Sequence, residues 1–441
     1  MKQILWFRRD LRITDNAILA NACGEVLPIF IFDTNILGKL SNDDKRVTFI
    51  YQSVLKLKND LQEIGLDLAI FYDTPQNVFQ NICGQFDEVL CSCDFDSYAI
   101  ARDQQIEQLI PMKRFYDSYL IHPNESLKSD GTPYKVFTPF YKSLSYLTNS
   151  LKLQTSNVSE RIKLYPCKLY EKSYTIEELG FVEQSLPNFL YQNPHEVLQQ
   201  FCKRISSYEH DRDYINIDAT SKMGVFLRFG TISAREVFNK VKEYSDHQFF
   251  IRELCWREFY NCILFYFPTS ENENFNGKNI NWEHNHEHFQ AWCEGKTGVP
   301  IIDAAMRYFN QTGLMHNRLR MIVSSYLTKN LFIDWRWGES YFASKLLDYD
   351  ASANIGSWQW AASTGADSVP YFRVFNPYLQ TAKFDQNGEF IKANVPELNQ
   401  CNPKLFSKEN GVQDDIFTSY IPQLVSIKSS KDRAIQRFKD A

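Results

Sequence analysis

Between Phe250 and Tyr260, the residues Phe250, Glu253, Trp256, Arg257 and Tyr260 recur at i, i+3, i+6, i+7 and i+10. That spacing places them on one face of a helix. As a plain surface pair, Glu253 and Arg257 would contribute only about 0.2–0.5 kcal/mol. Aromatic rings beside a carboxylate and an arginine suit another task, a floor for a flat, hydrogen-bonding ligand such as a nucleobase. Asn317, Arg320 and Met321 share a second helical face, with Leu319, Ile322, Val323 and Tyr326 opposite. Such a face can grip a nucleotide, and its spacing fits a solvated face equally well. The densest stretch is Leu346–Thr364, where Asp348 and Asp350 precede Asn354, Trp358 and Trp360. Paired carboxylates can ligate a metal, move protons or accept from the N–H groups of a heterocycle. No histidine lies near them in sequence, so the last role fits best. For Trp358, burial is expected under any reading.

Weaker signals surround these. Thr220-Ser221-Lys222-Met223-Gly224 puts hydroxyls, a lysine and a glycine before a helix. This suits phosphate binding through backbone N–H groups, and suits an ordinary cap and turn as well. His284, His286 and His288 alternate. As metal ligands they would need strand geometry, and the surrounding Asn281–Asn285 reads as loop. The ten cysteines contain no CxxC pair. They read as reduced, mostly buried thiols of a cytoplasmic protein.

The elements that must position these residues fall into two patterns. Ile4–Phe7, Val26–Phe32, Leu66–Phe71, Glu88–Cys93 and Arg114–Tyr119 read as buried strands. They alternate with helical stretches at Val47–Ile64, Asn77–Cys83 and Ile100–Leu109. This predicts an α/β domain over 1–121 with a Rossmann-like, doubly wound parallel sheet, although no GxGxxG motif is present. Residues 122–194 read as a long connection with one short helix near Phe140–Ser150. From 195 to 441 helical patterns follow one another, at Val197–Tyr214, Ser233–Glu243, Gln248–Phe265, Phe289–Glu294, Ile301–Gln311, His316–Leu331 and Glu339–Leu347. The second domain is therefore expected to be all-α.

The chain has 441 residues, a net charge of −5 and 44% hydrophobic residues, the composition of a soluble globular protein. No apolar run is long enough to span a membrane, and Met1–Asp10 lacks a secretory pattern. The acidic balance excludes a protein that coats nucleic acid by bulk charge, and leaves a local basic patch open. Aromatic content is high at 15%, and every tryptophan except Trp6 follows residue 250.

At these residues the chain resembles the photolyase/cryptochrome family over nearly its whole length. The resemblance is carried by Trp6-Phe7-Arg8-Arg9-Asp10-Leu11-Arg12 with Asp15-Asn16, by Trp256-Arg257-Glu258-Phe259-Tyr260 and by Gly295-Lys296-Thr297-Gly298. It continues through Met315-His316-Asn317-Arg318-Leu319-Arg320-Met321, Asp334-Trp335-Arg336 and Trp358-Gln359-Trp360-Ala361-Ala362-Ser363-Thr364-Gly365. It implies an N-terminal antenna domain and a helical domain that holds FAD. It assigns Tyr208, Thr220, Ser221, Lys222, Met223, Gly224, Phe250, Arg257, Arg320, Asp348, Asp350 and Asn354 to FAD, with Arg320 paired to Asp348 and Asn354 facing flavin N5. Gly224 stands where the family often has a serine, and Phe250 where it often has a tryptophan.

Among subfamilies the chain is most similar to the class I enzymes that split cyclobutane pyrimidine dimers. Glu253, Trp256, Asn317, Arg318, Met321 and Trp360 would then contact the lesion or DNA, with Glu253 and Asn354 in catalytic roles. Trp358, Trp335 and Trp282 match the family's electron-transfer chain. Arg320, Arg336 and Lys383 are candidates for gripping phosphates. The implied partner is ultraviolet-damaged DNA, bound by a monomer. A (6-4) photolyase and a blue-light photoreceptor are the alternatives. A light-independent flavin oxidoreductase would need a nicotinamide site, which no motif supports. For a second, antenna chromophore, Ala101-Arg102-Asp103 is present, but Tyr98 and Ala99 replace the Asn-Glu pair of folate-binding members. Folate is therefore disfavoured, and a deazaflavin, another flavin or an empty pocket stay open.

Overall fold

The computed structural model describes residues 1–144, 151–154, 161–413, 415 and 419–441. The chain falls into two compact units. The first contains 1–134, 139–206 and 221–265, and the second contains 135–138, 207–220 and 266–441. This grouping differs from the division expected at 121 and 194: residues 221–265 group with the sheet, and 207–220 with the second unit.

In the first unit, β1 (Lys2–Phe7), β2 (Gly24–Asp33), β3 (Ala69–Asp73), β4 (Glu88–Ser92) and β5 (Met112–Phe115) form a parallel sheet in the order β3-β2-β1-β4-β5. The chain reverses direction across the sheet between β1 and β4, as in doubly wound folds. The strands are apolar because helices cover both faces of such sheets. Trp6, Leu27, Ile29, Val89 and Cys91 lie in one buried cluster with Phe79 of the Pro75–Ile82 helix.

Two strands depart from expectation. β5 ends at Phe115 rather than Tyr119. Beyond it, Asp117 accepts from Arg12 at 2.6 Å and from Arg235 at 2.5 Å, and the Ser118 carbonyl accepts from Arg257 at 2.7 Å. Those bonds take the chain out of the ladder. A short β6 (Ile162–Leu164) lies within the stretch read as a bare connection. It pairs with Gly24–Val26 of β2, while β3 pairs with Ile29–Asp33 on the same strand. Pro28, which has no N–H to donate, falls between the two pairings. The short helix expected at Phe140–Ser150 is Phe137–Ser143, and positions 145–150 lie outside the described residues.

The second unit is helical around a core that includes Trp292, Trp335, Phe342 and Trp358. Several ends follow sequence rules. Pro300 opens the Pro300–Thr312 helix, and Gly313 closes it at φ 71. In the first unit, Ser233 and Glu236 complete a capping box on Ala234–Lys242. The helix expected over Val197–Tyr214 is instead Pro194–Cys202 followed by a short Tyr208–Asp211 turn. The one expected over His316–Leu331 runs as Asn317–Ser325 and then widens into π-type turns over Tyr326–Asn330. The one expected over Glu339–Leu347 starts earlier, at Trp335, where Asp334 accepts from the Arg336 N–H. Among the described residues no helix is long and apolar enough to cross a membrane.

Candidate functional site

The candidate residues are distributed over both units. In the first, the Gln248–Tyr266 helix presents Glu253, Trp256 and Arg257 half-buried, and Phe250 and Tyr260 buried. Phe250 packs on Phe201, with centroids 4.8 Å apart, and Trp256 lies over Tyr260 at 5.7 Å. Arg257 donates Nη1 to the Ser118 carbonyl and sits 4.0 Å above the Tyr119 ring. Its Nη2 is buried without a protein partner. A buried guanidinium N–H of this kind calls for an acceptor. Ser221, Lys222, Met223 and Gly224 lead into the Gly224–Phe229 helix. Lys222 holds φ 60, an uncommon conformation for a side-chain-bearing residue that marks a specified turn. Met223 is buried, and its N–H meets Ser221 Oγ at 3.3 Å.

In the second unit, Tyr208 is buried in its short helical turn, and Thr220 closes the Ser207–Thr220 segment. His316 caps the Asn317–Ser325 helix through Nδ1, 3.1 Å from the Arg318 N–H. Burial pushes its pKa down to about 4, so a neutral ring performs the capping. Asn317 is exposed, and its Nδ2 lies 3.9 Å from Met321 Sδ, which keeps the two on one face. Arg320 donates Nε to the Met315 carbonyl at 2.9 Å and Nη2 to both oxygens of Asp348 at 2.9 and 2.8 Å. The expected Arg320–Asp348 pair is therefore present.

Asp350 caps the Ala351–Ala362 helix, accepting from the Ala353 N–H at 3.3 Å and from Ser352 Oγ at 2.6 Å. One turn on, Asn354 is buried and donates Nδ2 to Glu339 Oε1 at 3.0 Å. Trp358 is buried and Trp360 half-buried on the same helix. A Cβ on Gly338 would lie 2.2 Å from the Trp358 ring, so only glycine lets the Trp335–Lys345 helix pack there. Lys329, from the π-type turns, ties down the far end of the Trp358 helix through Ser363 Oγ at 2.7 Å and the Ala362 carbonyl at 3.2 Å.

The other expected roles meet different geometry. Arg318 Nη2 is 2.5 Å from Asp213, and its guanidinium lies 4.5 Å from the Phe384 ring. Its charge is matched inside the unit, a poor starting point for gripping DNA phosphates. Arg336 is similarly paired with Asp334 at 3.0 Å, whereas Lys383 leans on the Phe384 ring at 5.1 Å. Trp335 donates Nε1 to Asn274 Oδ1 at 2.9 Å, while the Trp282 Nε1 is buried without a partner. His286 and His288 lie on the His286–Glu294 helix, and His286 stacks on Trp337. No cluster that could hold a metal ion occurs among the described residues. Glu339 escaped the sequence reading as a site residue, because its partner Asn354 lies on another helix.

At the C-terminal end of β2, Tyr98 donates its hydroxyl to Asp33, and Ala99 is buried. Asp103 is bonded by Arg8 at 2.6 Å and Arg102 at 2.9 Å. No disulfide joins any of the described cysteines.

Each unit, taken by itself, carries groups that fit part of FAD. The first has a buried Arg257 N–H that calls for an acceptor and a hydroxyl-bearing turn opening a helix, which suit phosphate. The second has two carboxylates able to accept from the N–H groups of a heterocycle, and a buried amide beside them.

Comparison with known proteins agrees. Residues 250–440 match the FAD binding domain of DNA photolyase, and residues 3–156 match DNA photolyase. The deoxyribodipyrimidine photo-lyase of Alkalihalophilus pseudofirmus is 37% identical, over 90% of this chain and 87% of its own length. That of Vibrio cholerae is 33% identical, over 100% and 99%. An archaeal photolyase from Sulfolobus tokodaii, solved with two FAD molecules, superposes with a TM-score of 0.86 at 32% identity, covering 100% of both chains.

Proposed function

The chain belongs to the DNA photolyase family, and from that premise we propose that it is a deoxyribodipyrimidine photo-lyase, which splits cyclobutane pyrimidine dimers in DNA under blue light. The observation that carries the reading is the Arg320–Asp348 pair, followed in the chain by a helix that carries Asn354, Trp358 and Trp360. FAD, when bound and reduced, supplies the light-excited electron that opens the cyclobutane ring and then takes it back.

The chain's own residues bind, orient and shield. A damaged pair costs less to flip out of the helix than a sound one. Trp256 and Trp360 provide half-buried rings for the extruded bases to stack on. Asn317 and Met321 line the same lesion contact, Asn317 with an amide and Met321 with a deformable thioether. The Glu253 carboxyl bonds the pyrimidine carbonyls by sharing a proton with them. Arg320 keeps the Asp348 carboxylate aimed at the flavin's N–H edge, and Asp350 contributes a second acceptor. Asn354 holds its amide at flavin N5. Tyr208, Thr220, Ser221, Lys222, Met223 and Gly224 hold the phosphates, with Arg257 Nη2 as a further donor, and Phe250 supplies an aromatic wall. Trp358, Trp335 and Trp282 carry electrons inward when the flavin starts oxidised. DNA affinity comes from a local set of basic side chains and falls with salt. The protein acts as a monomer in the cytoplasm. A second chromophore would be of a class other than folate, given Tyr98 and Ala99.

The test uses chemically reduced protein and a dimer-containing oligothymidylate, with recovery of ultraviolet base absorbance followed under blue light and in the dark. Recovery confined to the light is expected. No recovery from protein that binds and photoreduces FAD would reject dimer repair in favour of a (6-4) enzyme or a photosensor.

A further inference from the structure

The geometry points to a second electron route out of Trp358, passing through Trp292 and the Phe289 ring to Trp337; it rests on the flavin photochemistry proposed above. Trp358 and Trp292 meet with centroids 6.0 Å apart at 71°. Phe342 closes the corner, 5.1 Å from Trp358 and 6.1 Å from Trp292. Trp292 stacks on Phe289 at 5.9 Å and 18°, and Phe289 meets Trp337 edge-on at 5.2 Å. Trp337 then stacks on His286 at 4.6 Å. All of these spacings are direct aromatic contacts. Burial relaxes along the column. Trp358 and Trp292 are buried, Phe289 and Trp337 are half-buried, and His286 is exposed.

Charge decides the direction. A tryptophan that has lost an electron is a cation, and a cation is costly where water is excluded. Trp292 donates its Nε1–H to the Val323 carbonyl at 3.1 Å, which is no base, so Trp292 holds a positive charge poorly and passes it on. Trp337 reaches solvent and can be hydrated. Tyr341 also touches Trp292, at 5.9 Å, but its hydroxyl donates to Asn310 Oδ1 and the Cys293 carbonyl. Neither takes a proton, and burial pushes the phenol's pKa up, so Tyr341 is a dead end. Trp282 is packed by Phe332 at 5.1 Å and Phe438 at 5.9 Å, with its Nε1 buried and unpartnered. It is the drier exit of the two.

The electron count closes. One electron leaves Trp358 for the light-excited oxidised cofactor. Trp292 refills Trp358, and Trp337 refills Trp292 across Phe289. A soluble thiolate then refills Trp337 and departs as a thiyl radical. Phe289 is a bridge and is not itself oxidised.

The experiment is flash excitation of the oxidised holoprotein, with the tryptophan radical followed by visible absorption and electron paramagnetic resonance. Wild type is compared with Trp337→Phe, Trp282→Phe and the double variant. Flavin content and melting temperature confirm that each is folded, and Phe289→Leu provides a second probe of the bridge. The expectation is that Trp282→Phe keeps at least half of the long-lived radical. The double variant, and Phe289→Leu in the Trp282→Phe background, should fall at least threefold below it. Loss of the radical in Trp282→Phe alone, or a double variant equal to Trp282→Phe, overturns the route. Dimer splitting by chemically reduced protein is measured in parallel. Absent splitting with the expected radical pattern would reject the repair reading and leave the route standing.

Discussion

Asn354 gives both hydrogens of its amide to Glu339, reaching Oε1 at 3.0 Å and the backbone carbonyl at 3.3 Å. A carboxylate and a carbonyl only accept, so the orientation of the amide is fixed and its oxygen faces away from Glu339. Burial raises the pKa of Glu339, against the hydrogen bonds from Asn354 and Tyr349 that lower it. As pH falls, Glu339 therefore takes up a proton earlier than an ordinary glutamate would. Flavin photoreduction in the wild type should change as Glu339 protonates, whereas Glu339→Gln should give a flat profile with FAD retained. The measurement is the photoreduction rate against pH, and equal slopes in the two proteins would refute the coupling.

Arg320→Ala leaves Asp348 without its cation. Hydrogen bonds to charged groups contribute about 1.5–3 kcal/mol, and partial exposure of this pair argues for the low end. FAD affinity should fall by about tenfold, with Arg320→Lys intermediate. Titration of flavin-free protein with FAD checks this.

Glu253→Ala should lower dimer-splitting yield more than it lowers FAD content. A carboxyl that steadies charge on the lesion acts after cofactor binding. Yield per bound flavin separates the two effects, and parallel losses would assign Glu253 to cofactor retention.

The pH dependence of stability should be visible at Asp10. Its Oδ1 accepts the Arg8 N–H at 2.8 Å, while Oδ2 is buried without a partner. Burial, reinforced by nearby Asp117, lifts the carboxyl from 3.8 to about 6. A raised value means that the folded chain holds the proton more tightly than the unfolded chain. The resulting stabilisation is full below about 4 and is lost as pH rises through about 6. Its size is at most about 3 kcal/mol. Glu236 runs the opposite way. Its pKa falls to about 2 because its bonds with His195 and Ser233 outweigh burial, so its contribution is complete above 4.5 and fades only toward 2. Between pH 5 and 8 the difference in melting temperature between wild type and Asp10→Asn should therefore follow Asp10 alone, with Asp10→Asn gaining relative stability as pH rises.

The sequence announced the sheet and most helices because their signals are local. The apolar run of β2, the Ser233 capping box and the Pro300 to Gly313 bracket each lie within one element. The Arg320–Asp348 pair was anticipated from the resemblance and not from spacing. What escaped depends on chain folding back on itself. Glu339 reads as one more charge on a helix until Asn354 arrives from the next helix. Arg318 meets Asp213, 105 residues away, only in the fold. β5 stops early for a tertiary reason as well, since Asp117 is claimed by two arginines.

The double pairing of β2 also sets a timetable for synthesis. Gly24–Val26 leaves the ribosome long before Ile162–Leu164 exists to cover it. At roughly 5–20 residues per second, that backbone edge stands open for on the order of ten seconds. Open edges recruit other strands, and β2 is almost wholly apolar. A chain truncated after residue 121 would never close that edge, and it should aggregate more readily than the full chain.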